Sequence, residues 1–251
     1  MRKGQAAGRD GILDHLKPRP GMRILDLCCG PGTLTLPLAR ELNGDGEVVG
    51  VDLAEGMLVA ARQAISGRSL PVRFLRMDVE NLQFPPASFD AASCGHGLHF
   101  IANLGRVLRE VHRVLKPRGR FAASVPTTEP SPVADAYRSV FDDLLGPPPP
   151  REELTATLGT VGDLDRLQAA AVAAGFRYAE AERAEVETTW DGPEHYARVN
   201  SNWWTFAARL DRADDKLRDR VLASAEAAVR KVAGDGPFSV PSAAHVLRAE
   251  A

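Results

Sequence analysis

The stretch ILDLCCGPGTLTLPLARELNGDGEVVGVD, Ile24 to Asp52, decides how this chain is read. It opens with a short apolar run, Ile24-Leu25-Asp26-Leu27, bounded by Pro20-Gly21 before it and Gly30 after it. That is the pattern of a buried strand. Cys28-Cys29-Gly30-Pro31-Gly32 is a turn of small residues. Thr33 to Leu42 then carries Leu34, Leu38 and Leu42 at helical spacing, with Thr33 placed as the N-cap. A second apolar run, Val48 to Val51, ends in Asp52. Together these segments make a β-α-β unit with a glycine-bearing first turn and an acid at the tip of the second strand. In such a unit the ligand lies beyond the carboxyl ends of the strands, and the acid holds ribose hydroxyls.

The dinucleotide fingerprint G-x-G-x-x-G/A needs a small third residue, so that the helix packs close to the sheet under a pyrophosphate. The frame here is Gly30-x-Gly32-x-x-Thr35, and Thr35 disfavours an NAD-dependent oxidoreductase. The stretch instead resembles the D-x-G-x-G-x-G pattern of class I S-adenosylmethionine (SAM) dependent methyltransferases, as Asp26-Leu27-Cys28-Cys29-Gly30-Pro31-Gly32. Cys28 stands in place of the first glycine and narrows the room for the cofactor's methionine end. The resemblance runs from about Gly21 to Val125, through VVGVDLAEGML, MDVENLQFPPASFD and HRVLKPRGRF. The last two look like the UbiE-type branch, also called methyltransferase type 11. There the turn usually reads LKPGG; here Arg118 takes the first glycine's place.

Strands are expected at Val72 to Met77, Phe89 to Cys94 and Arg120 to Val125, with helices at Ala54 to Ser66 and Asn103 to Leu115 and a turn at Lys116 to Gly119. Strands alternating with helices argue for a doubly wound parallel sheet. The resemblance implies a Rossmann-like methyltransferase fold: α/β, a seven-stranded, mostly parallel sheet. Residues 1–8 are small and charged and are expected to fray. Asp10 to Leu16 is a short helix that, in the resembled family, lies beside the cofactor.

Beyond Val125 the rhythm changes. Val133 to Leu145 reads as a helix, followed by the stiff run Pro147 to Pro150. Gly162 to Ala174 is periodic and stops at Gly175. Tyr178 to Trp190 is a strand, Glu194 to Leu210 and Asp214 to Val232 are two helices, and Phe238 to Leu247 is a final strand. Residues 1–251 are read as one domain, with helical inserts at about 126–160 and 191–233 forming a lid over the binding edge. The inserts hold Tyr137, Phe141, Trp190, Tyr196, Trp203, Trp204 and Phe206, although aromatics are only 6% of the chain. That concentration suits a pocket for an apolar or aromatic small molecule, while any one of them could equally be core. Trp203 and Trp204 cannot both face one way on a helix, so one is expected in the core and the other on a pocket or surface.

The totals bound the function. A net charge of -2 makes no case for nucleic-acid binding. No apolar run is long enough to span a bilayer, and no signal peptide is visible. Three cysteines, two of them adjacent, form neither a disulfide framework nor a zinc motif, so no metal is expected and a reducing cytoplasm is the default. An excess of alanine and arginine points to a GC-rich bacterial genome.

Site expectations follow. Asp26, Asp52 and Asp78 fall at strand tips. Asp52 is read as the ribose ligand, while Asp26 either positions the loop or touches the cofactor's amino end. The resemblance gives Asp78 the adenine amino group, Val79 a backbone contact, Leu53 and Met57 the faces of the adenine, and Gly95 the backbone beside the sulfur. Cys28, Gly30 and Gly32 shape the loop, and Thr33 faces the methionine carboxylate at a helix N-terminus. His96 and His99 are the candidate bases, each weighed against a structural role. His112 reads as surface, and His195 and Tyr196 as residues that could reach the pocket. The expectation is methyl transfer from SAM to a small, partly apolar acceptor, O- or N-methylation favoured, with no nucleic-acid or membrane partner and a homodimer left open. The alternative is a SAM-binding protein of the same fold that transfers no methyl group.

Overall fold

The computed structural model describes residues 6–127 and 129–251. Of the segment expected to fray, residues 1–5 lie outside the described residues, whereas residues 6–8 are already helical. Helix α1 (Ala6–Leu16) precedes strand β1 (Arg23–Leu27), helix α2 (Thr35–Glu41), β2 (Glu47–Asp52), α3 (Glu55–Ala64), β3 (Val72–Arg76), β4 (Phe89–Gly95), α4 (Leu104–Val114) and β5 (Leu115–Thr127). Then come α5 (Pro132–Leu145), α6 (Thr155–Val161), α7 (Leu164–Ala173), β6 (Tyr178–Trp190), α8 (Pro193–Asn200), α9 (Trp204–Leu210), α10 (Asp215–Ala233) and β7 (Phe238–Glu250). The sheet order is β3-β2-β1-β4-β5-β7-β6. Its first five strands pair in parallel, and β7 runs antiparallel to both β5 and β6. This is the expected seven-stranded sheet.

The apolar run of β1 is continuous because both faces of the sheet are covered. Ile24 packs with Ile12, Leu16 and Leu38 beneath α1 and α2. Leu25 and Leu27 turn the other way, onto Val107, Leu108 and Val111 of α4. Successive side chains of a strand alternate between faces, so five residues serve two cores.

Three boundaries and the burial of one side chain differ from the sequence reading. Thr33 is not an N-cap: residues 31–34 stay in the turn, and α2 begins at Thr35 after Leu34, with no side-chain cap. Lys116 to Gly119 belongs to β5, where the pairing with β4 shifts register between Phe89 and Ala91 and Arg118 adopts φ 65°. The expected helix from Glu194 to Leu210 is two helices. Asn200 Nδ2 donates to the Tyr196 carbonyl, Ser201 Oγ and Asn202 Nδ2 donate to the Arg198 carbonyl, and these side chains replace the backbone donors that would extend α8. His112 is not a surface residue. It is half-buried, with its ring edge-on to Phe176 at 5.3 Å.

The β6–β7 pairing runs from Tyr178 opposite Glu250 to Trp190 opposite Phe238, whereas β5 ends with Thr127 opposite Ala243. The last turns of this ribbon therefore rise past β5 and carry α8, α9 and α10. Together with α5 they enclose a separate apolar core of Tyr137, Phe141, Trp190, Tyr196, Val221 and Val229. No helix among the described residues is long and apolar enough to cross a membrane.

Candidate active site at the carboxyl edge of the sheet

The turn after β1 is held from below by Asp26. Its carboxylate is buried, and its two oxygens accept hydrogen bonds from Thr35 Oγ1 at 2.6 Å and Ser93 Oγ at 2.7 Å. Burial pushes the Asp26 carboxyl up to about 6, only partly opposed by the two hydroxyls. Thr35, the residue that breaks the dinucleotide fingerprint, thus ties α2 to β1 and β4. Of the two roles left open for Asp26, positioning the loop matches this geometry.

Cys28, Gly30 and Gly32 all take positive φ, at 49°, 53° and 83°. A glycine adopts this conformation freely, whereas Cys28 pays about 1–2 kcal/mol for it. Cys28 remains there because its side chain packs between Gly97 and Cys94. The Cys94 thiol, hydrogen bonded to Cys28 and fully buried, is pushed well above the usual thiol range, and burial does the same to Cys29. Neither is a thiolate nucleophile.

At the end of β2, Asp52 Oδ2 accepts the Gly30 N–H at 2.8 Å and Oδ1 accepts the Ala54 N–H at 2.9 Å. The acid therefore clasps the glycine turn to the start of α3. Leu53 and Met57, which follow it in the chain, are 61% and 47% exposed, so Met57 is not helix core, as its periodicity alone would place it. Asp78 is exposed, with Oδ1 accepting the Glu80 N–H, and Val79 is buried behind it. A β-carbon on Gly30 would meet no atom within 4 Å, so open space adjoins the turn. An acid bonded to a glycine turn with open space beside it, followed in the chain by two exposed apolar side chains, fits the nucleoside half of SAM: hydroxyls for the carboxylate and a flat apolar base for Leu53 and Met57. Thr33 lies in the same turn, and Gly95 packs against Leu34 at the end of β4.

The two candidate histidines part company. His96 adopts φ 56°, and both of its ring nitrogens are buried without a partner. Its Nε2 lies beside Gly8, where a β-carbon on α1 would approach within 3.0 Å. His99 is also buried, Nδ1 unpartnered, with its ring 4.0 Å from that of Phe100. Burial pulls both imidazoles down to about 4, so both are neutral near pH 7. His99 lines the large cavity; His96 is not among its lining residues.

That cavity, about 600 Å³, lies between the sheet edge and the helical inserts. Trp190, Tyr196, Trp203 and Phe206 form its aromatic walls, while Tyr137 and Phe141 belong to the insert core. The side chain of Trp204 lies outside the described residues. His195 pairs with Asp191 at 2.9 Å. Several polar cavity residues escaped the sequence reading, among them Glu129, Ser131, Asn200 and His245. They come from a loop, the cap of α5, the end of α8 and the middle of β7, and no spacing in the chain links them. Glu129 accepts from Thr127 Oγ1 at 2.6 Å and pairs with Arg183, which hold its carboxyl below the usual range.

Comparison with known proteins gives the same reading. Residues 24–119 match a family described as a methyltransferase domain. The 2-phytyl-1,4-naphtoquinone methyltransferase of Synechococcus elongatus is 34% identical over 174 residues, which cover 64% of this chain and 74% of that protein. The demethylmenaquinone methyltransferase of Symbiobacterium thermophilum is 40% identical over 105 residues, 41% of this chain and 42% of that one. Among solved structures, the YcgJ protein from Bacillus subtilis superposes with a TM-score of 0.60 at 20% identity, covering 97% of both chains. With the glycine turn, the acid of β2 and the sheet order in place, the chain belongs to the class I SAM-dependent methyltransferases, in their UbiE-like branch.

Proposed function

We propose that this enzyme transfers the methyl group of SAM to a small, flat, partly apolar acceptor held in the aromatic cavity, at an oxygen or nitrogen. The observation that carries this reading is the place of residues 97–99. Gly97 packs directly on Cys28 of the glycine turn, and two residues later His99 lines the cavity. One short turn therefore separates the expected cofactor edge from the acceptor space.

Asp52 would hold the ribose, Leu53 and Met57 the adenine faces, Asp78 and Val79 its polar edge, and the turn from Cys28 to Thr33 with Gly95 the methionine end. SAM supplies a methyl group on a sulfonium, whose carbon–sulfur bond breaks with its electron pair left on sulfur. The protein's share is to orient the acceptor and exclude water. The walls of Trp190, Tyr196, Trp203 and Phe206 suit a planar ring, and about 600 Å³ suits a small molecule. Neutral His99 adds a polar ring to the cavity wall.

The relatives' names favour a second reading, in which the acceptor is a naphthoquinone-type ring. Both are tested by incubating the protein with SAM and a panel of phenols, arylamines and reduced naphthoquinones, following S-adenosylhomocysteine release and product mass. Release with phenols or amines supports the first; release with reduced naphthoquinones alone supports the second. Tight S-adenosylhomocysteine binding with no release from any acceptor would favour a SAM-binding protein without methyl transfer.

A further inference from the structure

We propose that His245 of β7 is the residue that accepts the hydrogen bond, and then the proton, of the acceptor's hydroxyl; this rests on the aromatic cavity being the acceptor site. His245 is 8% exposed and lines that cavity together with His99 and Trp190. Its Nδ1 lies 2.9 Å from the carbonyl oxygen of Val161. A carbonyl can only accept, so Nδ1 carries the hydrogen, and in the neutral ring Nε2 is left with the lone pair. The ring is thus fixed in one tautomer and one orientation by a backbone group, the arrangement that a general base requires.

The other two histidines lack this arrangement. His99 Nδ1 and both nitrogens of His96 have no partner that would fix a tautomer, and His96 sits under α1. Both are also held down near 4 by burial, which weakens them as proton acceptors. His245 faces a different neighbourhood. In the sheet it stands between Val125 of β5 and Arg183 of β6. Arg183 is paired with Glu129, whose carboxylate also lines the cavity.

In the step itself, the acceptor's O–H bond breaks and its electron pair stays on oxygen for the new bond to the methyl carbon. An Nε2–H bond forms, and the ring returns this proton to water. The Nδ1–H bond to Val161 is kept throughout.

The test uses 2-naphthol and its methyl ether, 2-methoxynaphthalene, which share a ring and differ in the hydroxyl. Binding is followed by the fluorescence of the cavity tryptophans, with S-adenosylhomocysteine present. The wild-type protein should bind 2-naphthol about 10-fold more tightly than the ether. His245→Asn, which retains a donor for Val161 and lacks Nε2, should bind the two within about 2-fold while its affinity for S-adenosylhomocysteine is unchanged. In the wild-type protein labelled with 15N-histidine, 2-naphthol should shift the unprotonated Nε2 resonance of His245, a readout independent of how the variant folds. Equal wild-type affinities, a preference retained in His245→Asn, or an unmoved Nε2 resonance would overturn the proposal. Failure of both naphthalenes to bind the wild-type protein would instead remove the acceptor-cavity reading on which it stands.

Discussion

A β-carbon on Gly97 would lie 2.6 Å from the Cys28 β-carbon and 2.6 Å from the Cys94 sulfur. The turn after β4 and the turn after β1 thus meet without room for a methyl group. Gly97→Ala must push the cofactor turn outward. The expected result is a loss of about 1–3 kcal/mol in stability together with at least ~10-fold weaker S-adenosylhomocysteine binding. Thermal unfolding and calorimetric titration check the two effects; a variant with wild-type affinity would separate the Cys28 turn from cofactor binding.

Asp52 clasps the Gly30 and Ala54 amides and is the proposed ribose ligand. Asp52→Ala should weaken S-adenosylhomocysteine binding by roughly 1.5–3 kcal/mol, the scale of charge-assisted hydrogen bonds. Calorimetry on the folded variant measures it, and an unchanged dissociation constant would refute the ribose assignment.

The buried Asp26 carboxyl gives the fold a pH dependence. Its folded value of about 6 lies above the ordinary 3.8, so the folded chain holds a proton that the unfolded chain has released. Stability should therefore fall as pH rises from about 4 through about 6, and the full cost, about 3 kcal/mol, is carried above that window. Asp26→Asn, which cannot ionise, should lose this dependence, so its stability relative to the wild type should rise across the window. Urea unfolding of both proteins at pH 4.5, 6 and 7.5 reads the difference, and parallel pH profiles would count against the assignment.

Thr35 supplies one of the two hydroxyls on Asp26. Thr35→Val keeps the shape and leaves a buried carboxylate oxygen without a donor, which should cost about 1–3 kcal/mol at pH 7.5. Chemical denaturation gives the value, and a loss below about 0.5 kcal/mol would show that the bond adds little.

Arg118 occupies φ 65° at an exposed position near the start of β5, where the resembled pattern carries glycine. Arg118→Gly should relieve a left-handed strain of about 1–2 kcal/mol, partly offset by glycine's freedom in the unfolded chain. The unfolding midpoint should rise by about 2–4 °C with cofactor affinity unaltered. A lower midpoint would mean that the arginine side chain contributes more than the strain costs.

The legible parts of this protein are the local ones. Asp26, Gly30, Gly32 and Asp52 lie within one β-α-β unit, and their positions follow from strand, turn and strand succeeding one another along the chain. Even here Thr33 misleads, because helical spacing begins at Leu34 while the backbone stays in the turn through that residue. Met57 misleads for the opposite reason. Its period marks a core face, but no protein layer covers that part of α3.

The acceptor side was not legible. The inserts were recognisable as helical and aromatic, yet which rings face the cavity depends on how the β6–β7 ribbon lifts them over the sheet. Trp190, Trp203 and Tyr196 line the space while Tyr137 and Phe141 fill the core behind it. The strand–helix alternation from β1 to β5, the glycine turn and the acid that faces it are readable along the chain, because these depend on residues a few positions apart. Only the tertiary structure decided that Thr35 and Ser93 share the Asp26 carboxylate, that His99 and not His96 reaches the cavity, and that His245 meets the carbonyl of Val161. The partners in those contacts are brought together by packing across the sheet, and packing leaves no periodic trace in the chain.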